Sequence, residues 1–402
     1  MTRISVAVTG LGAIAPHGDQ PQAIFARLMA GESAVGPVFP ELPKPTAAAL
    51  APFDALRWFT KLQLAGVDRV SQLAVAAADL AMQDAAASGT TEPERIGVYA
   101  GCGMGGAAAL EAAYRGNGRV PPLTIPAFMP NAPASQVAMR QGVHGPVLTY
   151  SVACASSSLA IAEAAKAVQR GEVDLAIAGG SEALIVPGVV LAWQAMQTLA
   201  GFTPGEEARA VRPFASDRSG FALGEGAAFL VLESVERARR RGARIHATLT
   251  GWGSSCDATH LTKPDAPGQA RALRQALRQA GLQPADIGYC NAHGTATRIG
   301  DVVERNALAE VWGAGLDALR VSSTKSLHGH LLGAAGALEA VITVLALENR
   351  QLPPNANCAE IDPDCALNLV RQPNHAAPQL EAAISSSFAF GGTNSVLLFQ
   401  RA

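Results

Sequence analysis

A cysteine at a helix start and two histidines where strands run into loops are the residues whose types and settings could do chemistry together. The segment Tyr150-Ser-Val-Ala-Cys154-Ala-Ser-Ser-Ser-Leu159 reads as a short strand, a thiol, then small residues opening an amphipathic helix. A thiol there sits at the positive end of the helix dipole, which favours thiolate and lowers its pKa. Small neighbours leave room for a thioester. Position alone leaves Cys154 between a nucleophile and a buried structural thiol. It is one of six cysteines, and none of them forms a CxxC pair or a zinc-type cluster.

His293 lies in Asn291-Ala-His-Gly-Thr-Ala-Thr297, directly after an apolar strand. His330 lies in Lys325-Ser-Leu-His-Gly-His-Leu-Leu-Gly-Ala-Ala-Gly336, where a Gly-flanked turn enters a helix. A lone histidine is most often a satisfied core or surface residue. Two at the strand-to-loop ends of one region, with a lysine nearby, point towards a site. No metal is expected: His328 and His330 are only two apart, and no acidic third ligand recurs at helical spacing.

The elements that must bring these residues together read as short apolar strands alternating with Ala-rich helices, an α/β pattern with buried sheets. Four elements recur in order. Ile4–Gly12 resembles Ile245–Gly253, Arg95–Gly101 is echoed by Asp286–Ala292, and Asp174–Glu182 has a counterpart in Ala382–Asn394. The fourth pair is the Ala-rich helix, beginning near Cys154 in one copy and near His330 in the other. The chain therefore reads as a duplicated unit, 1–240 carrying the thiol and 241–402 carrying the histidines. Corresponding helix starts would meet near a pseudo-twofold axis, joining Cys154 to His330.

Bulk composition narrows the class. Of 402 residues, 49% are hydrophobic and 16% charged, which suits a large core and excludes disorder. A formal charge of −2 points to neither nucleic acid nor a membrane surface. No uninterrupted apolar run reads as a membrane span and no signal peptide is evident, so a soluble cytoplasmic protein is expected. Gly10-Leu-Gly12-Ala-Ile-Ala15 matches a dinucleotide-binding pattern, but Pro16-His17-Gly18 breaks the helix that pattern needs. The Arg-rich stretch Arg237–Arg244 reads as a solvated helix end or linker, with a phosphate-contacting role as the alternative.

The same motifs resemble those of elongating β-ketoacyl–acyl carrier protein synthases, within the thiolase fold. The resemblance runs from Ile4 to Phe399 and includes the Cys154 segment, Gly179–Glu182, Arg212–Phe214, Asp217–Phe221, Leu223–Gly226, Asn291–Thr297, Lys325–Gly336 and Phe388–Asn394. It implies duplicated α/β halves in an αβαβα arrangement. Cys154 would take an acyl chain from a carrier-protein thioester. His293 and His330 would serve malonyl decarboxylation and hold the enolate oxygen. Lys325 and Glu339 would hold the histidines in a polar network, and the N–H groups of Cys154 and Phe390 would form an oxyanion hole. Thr295 and Thr297 would bind the phosphopantetheine arm, with Phe388 in the gating segment; no resident cofactor is implied. The implied partners are an acidic acyl carrier protein and a second subunit, in a homodimer or a heterodimer with a paralogue; Arg57, Lys61 and Arg69, in a largely apolar stretch, read either as candidates for the carrier's docking patch or as scattered surface charge. Initiating synthases pair Cys with His and Asn, and thiolases use a second Cys; this chain has neither pattern.

Some positions depart from the family. Ala389 stands where the gating segment usually has glycine, so a stiffened or reshaped gate is expected if that position needs positive φ or serves as a hinge. Ala155-Ser-Ser-Ser158 is closer to polyketide synthases, and Arg298 replaces a common proline. Met104 and Trp193 fall where acyl-pocket residues are expected, as bulk that limits or flattens the cavity. These departures favour a polyketide or aryl-polyene condensing enzyme over housekeeping elongation. Two other classes stand beside it: a non-catalytic chain-length-factor partner, which typically lacks the nucleophile, and another thiolase-like acyltransferase.

Overall fold

The computed structural model describes residues 4–402. Its main sheet takes β1 (Val6–Ile14), β2 (Ile96–Gly101), β3 (Val147–Tyr150), β4 (Leu175–Glu182) and β5 (Gly226–Ser234) from the first half. The second half supplies β6 (Ala247–Cys256), β7 (Tyr289–Asn291), β8 (Arg320–Ser322), β9 (Ala382–Phe388) and β10 (Thr393–Arg401). The order across the sheet is β8-β7-β9-β10-β6-β1-β5-β4-β2-β3. From the centre outwards each half runs first, fifth, fourth, second, third strand. In both, antiparallel pairings come before parallel ones. The repeated segments of the sequence fall on β1 and β6, β2 and β7, and β4 and β9.

Period-two alternation decides what covers each face. Leu175, Ile177, Phe229 and Val231 pack with α1 (Arg69–Asp84), whereas Ala176, Ala178, Leu230 and Leu232 share a core with α2 (Ser156–Gln169). The helix α3 (Pro187–Ala195) lies beyond β4. In the second half Ile384, Val396 and Leu398 pack with α4 (Ala266–Ala280) and α5 (Gly300–Trp312). Ala383, Leu397 and Phe399 pack with α6 (Ala335–Asn349). Helices α2 and α6 touch each other between the two half-sheets, which completes the αβαβα layering.

Burial on all sides explains a departure from the sequence reading. Leu332–Asn349 has the length and mean hydropathy, 1.4, of a membrane-crossing segment, but 89% of it is buried inside the protein. The glycines of the rejected dinucleotide pattern also have a physical reason. A Cβ on Gly12 would lie 2.0 Å from the Ala77 carbonyl oxygen of α1, and one on Gly253 would lie 1.9 Å from that of Ala272 in α4. The paired glycines let helix and strand approach. The Arg-rich stretch falls at a solvated helix end, as one of its two readings had it, with Arg239 and Arg240 exposed in the last turn of Val235–Arg240, and acids take up most of its charges. Arg237 and Arg241 bond the buried carboxylate of Glu233, Arg240 pairs with Glu236, and Arg244 pairs with Glu348.

Candidate active site

Strand β3 delivers Cys154 into a short turn, Ala153–Ala155, before α2 begins. Ala153 has φ +48°, which costs a non-glycine residue roughly 1–2 kcal/mol. The Ser156 hydroxyl holds the bend, donating to the Ala153 carbonyl at 2.6 Å and accepting from Val152 N–H at 2.9 Å. The equivalent turn in the second half is Leu332–Ala334, where Leu332 also has φ +48°. The structural counterpart of Cys154 is therefore Gly333, and His330 precedes that helix start by one bend. The sequence reading had put the second helix start near His330 itself.

The two turns nevertheless bring the expected pair together: His330 Nε2 lies 3.0 Å from Cys154 Sγ. Leu332 N–H donates to His330 Nδ1 at 3.3 Å, which leaves the ring proton on Nε2, directed at the sulfur. His330 thus donates to the sulfur and is no base towards it. Burial pushes the Cys154 thiol up to about 12, against the downward pull of Lys325 and of its own N–H. The helix-start setting does not by itself make a resting thiolate in this closed site. Burial, then the Lys325 charge, holds both His293 and His330 well below the usual imidazole range. The donor atoms of Cys154, His293 and His330 lie within 4.8 Å of one another, close enough for a metal triad. The proton that Leu332 leaves on Nε2 occupies the lone pair a metal would need.

His293 follows β7, with its ring edge-on to His330 at 5.4 Å between centroids. Glu304 of α5 accepts from the N–H groups of His293 and Gly294 at 2.8 and 2.7 Å and so fixes that bend. Behind the histidines Lys325 is ion-paired with Glu339, both fully buried. Burial pushes Glu339 up to about 7, with the Lys325 charge and hydrogen bond pulling against it. Two carboxylates with such positions escaped the sequence reading. Besides Glu304, the buried Glu182 accepts from Gly103, Met104 and Gly333 N–H at 2.8, 3.3 and 3.0 Å. It ties the ends of β2 and β4 to the turn that follows His330. Glu182 closes the Gly179–Glu182 motif noted in the sequence, with no role assigned to it, and Glu304 stands among charged and polar neighbours without a local signal.

These groups close the inner end of a cavity of about 420 Å³ whose walls include Trp193, Phe221, Thr295, Thr297, Phe388, Ala389 and Phe390. Thr295 and Thr297 bring their hydroxyls within 3.2 Å of each other. Trp193, on α3, stacks on Phe390 at 6.2 Å and meets Phe221 edge-on at 5.5 Å. Met104 does not line this cavity; its side chain is 47% exposed in the single chain. Ala389 is unstrained, because the left-handed positions of its turn are Gly391 and Gly392, at φ +84° and +77°. In this conformation Ala389 therefore carries none of the strain that a required positive φ would bring. Of the docking candidates, Arg69 is committed to the buried Glu225 and to the Ala51 carbonyl, and Arg57 pairs with Asp19. Lys61 is exposed.

The family described as Beta-ketoacyl synthase, N-terminal domain matches residues 4–238, and Beta-ketoacyl synthase, C-terminal domain matches residues 246–359. The chain is 41% identical to Nodulation protein E of Rhizobium sp. (strain N33), covering 98% of this chain and 99% of the relative. It is 36% identical to 3-oxoacyl-[acyl-carrier-protein] synthase 2 of Staphylococcus aureus (strain MRSA252), covering 99% and 98%. Among solved structures, a type II polyketide ketosynthase in complex with its acyl-carrier protein superposes with a TM-score of 0.92 at 29% identity over the full length of both chains. The ishigamide ketosynthase/chain length factor gives 0.91 at 33% identity, again over both full chains. Fold, site and relatives agree that this chain belongs to the β-ketoacyl synthase family.

Proposed function

We propose that the chain catalyses decarboxylative Claisen condensation, with Cys154 as the acyl carrier and the two histidines as the enolate site. The carrying observation is the Cys154–His330 contact at 3.0 Å with His293 beside it, at the inner end of one cavity. In the first half-reaction Sγ attacks the thioester carbonyl of the incoming acyl group. The N–H groups of Cys154 and Phe390 take the oxyanion, and the thiol proton passes to the departing arm thiolate. His330 Nε2–H assists by stabilising charge on sulfur. In the second, the malonyl thioester carbonyl sits against His293 and His330. The carboxylate–carbon bond breaks, carbon dioxide leaves, and the electron pair becomes the enolate. Its carbon attacks the acyl–Cys154 carbonyl, a carbon–carbon bond forms, and Cys154 departs as thiolate beside His330 Nε2–H, then takes a proton from solvent. Lys325 keeps the imidazoles neutral, so that they act as hydrogen-bond donors.

No resident cofactor enters this scheme; phosphopantetheine arrives on an acyl carrier protein, held by Thr295 and Thr297. A chain-length-factor role is disfavoured by the assembled nucleophile and histidines. The outer edge of β3, with Val147 and Leu148 36% and 45% exposed, suits a second subunit, either another copy or a paralogue. The aromatic wall of Trp193, Phe221 and Phe390 favours flat acyl chains, as in polyketide or aryl-polyene synthesis, within the cytoplasm. Replacing Cys154 by Gln tests the division of labour. Intact-mass measurement should show no acyl adduct, while carbon dioxide is still released from malonyl carrier protein. A folded variant lacking both activities contradicts the assignment, and product analysis across saturated and conjugated acyl carriers tests the pathway.

A further inference from the structure

We infer that Glu182 is a positioning residue for His330: its buried carboxylate holds the Leu332–Gly333 turn so that Leu332 N–H meets His330 Nδ1 and the ring proton stays on Nε2, facing Cys154. The role rests on the ketosynthase reading and adds a residue to it. Its place follows from the duplication. Each half-sheet has one register slip, between Val8 and Gly10 against β5 in the first and between Leu398 and Phe399 against β6 in the second. The slips align Leu232 with Phe399. Their ladder partners, Ala176 and Ala383, then align β4 with β9. Glu182 is thereby the counterpart of Ala389, next to the Phe390 whose N–H completes the oxyanion hole. Gly333 stands where the first half has Cys154, so its N–H is the counterpart of the one that Cys154 offers to the oxyanion. In the second half a side chain takes it: Glu182 Oε2 accepts from Gly333 N–H at 3.0 Å.

Every group that bonds this carboxylate donates to it. Oε2 also accepts from Gly103 N–H at 2.8 Å, and Oε1 accepts from Met104 N–H at 3.3 Å and from the Cys102 thiol at 3.8 Å. A Cβ on Gly103 or on Gly333 would lie 2.5 Å from Oε2, so both turns need glycine to let the carboxylate in. The His330 backbone is fixed separately. Its N–H donates to the Ala222 carbonyl at 2.8 Å, and its carbonyl accepts from Gly224 N–H at 2.9 Å. Those bonds root the ring, but its tautomer depends on the turn that follows. Leu332 is held there at φ +48°, outside the usual range of a residue with a Cβ, and its N–H lies 3.3 Å from His330 Nδ1. The bond from the adjoining Gly333 amide to Glu182 supplies the restraint. With that turn relaxed, Nδ1 can carry the proton, and Nε2 then faces the site as an acceptor that cannot donate to an enolate oxygen.

The test uses the full chain at about pH 8, above the value of about 7 to which burial raises Glu182 against its N–H donors. Ring-nitrogen NMR of protein labelled at histidine, with His330 assigned by the signals lost in His330→Ala, should show wild-type His330 protonated on Nε2. A wild-type ring protonated on Nδ1 overturns the role whether or not any variant folds. In Glu182→Gln the new amide NH2 opposes N–H donors, and the Nε2–H signal should give way to the Nδ1–H form. Carbon dioxide release from malonyl carrier protein should fall about tenfold to a hundredfold in kcat, with KM unchanged. Acyl loading of Cys154, followed by intact mass, should also slow, and the same substitution in a His330→Ala chain should bring no further loss of loading. A Glu182→Gln chain with the wild-type tautomer and rates, or a loading loss that persists in full without His330, overturns the role. A wild-type chain that neither loads nor decarboxylates sinks the ketosynthase reading, while the ring-nitrogen signals still decide what Glu182 does to His330.

Discussion

Lys325 and Glu339 form a buried ion pair, which adds little net stability once both charges have been taken out of water. Its value here is electrostatic, because the Lys325 charge faces both histidines and lowers their proton affinity. Protonating His330 Nδ1 would set it against the Leu332 N–H and disturb the bend. Replacing the pair as Lys325→Met/Glu339→Leu spares the fold an unpaired buried charge. Without the positive charge the imidazoles take protons at higher pH, so the acid limb of malonyl decarboxylation should move upwards in pH. A profile that stays in place shows that Lys325 acts only structurally. Cys154, His293, His330 and Lys325 were legible because turn and glycine signals surround them. Glu182 and Glu304 were not, since burial and backbone partners carry no local sequence pattern. Met104 does not line the cavity of the single chain, because adjacency to it depends on side-chain direction, which the sequence does not display.

At the scale of elements, the duplicated strands and helices were readable from repeated segments, yet the register of the helix starts was off by three residues. The eye follows histidine and cysteine, whereas the backbone repeat aligns Cys154 with Gly333. Gly333 lacks a side chain because a Cβ there would lie 2.5 Å from Glu182 Oε2 and 2.5 Å from Gly103 N. The paired glycines of β1 and β6 follow the same logic of close approach, which no dinucleotide pattern captures. Gly12→Ala should therefore destabilise the chain by about 1–3 kcal/mol through overpacking against α1, read from the urea midpoint. Addition of a nicotinamide dinucleotide should leave that midpoint where it is. A stability equal to wild type contradicts the packing account, and stabilisation by the dinucleotide revives the rejected motif.

At the scale of the whole molecule, the half-sheets of the described residues pair along β1 and β6 and pack through α2 and α6, and polar clamps between the layers add to these contacts. Buried His246, just before β6, bonds Asp84 at the end of α1 at 2.8 Å and Glu348 near the end of α6 at 3.3 Å. Burial would lower its proton affinity, but these two carboxylates override it and hold His246 at about 9. A histidine raised in the folded state contributes stability that is fully present below its unfolded pKa, about 6.5. That contribution is lost as pH rises through the folded value. Stability should therefore decline between about pH 6.5 and 9, by up to about 3 kcal/mol from this group. His246→Asn should be less stable than wild type at pH 6.5 and should show a flatter decline towards pH 9. Guanidinium midpoints measured across that range decide the matter, because a variant with the wild-type slope would mean that the halves are not joined through a charged His246.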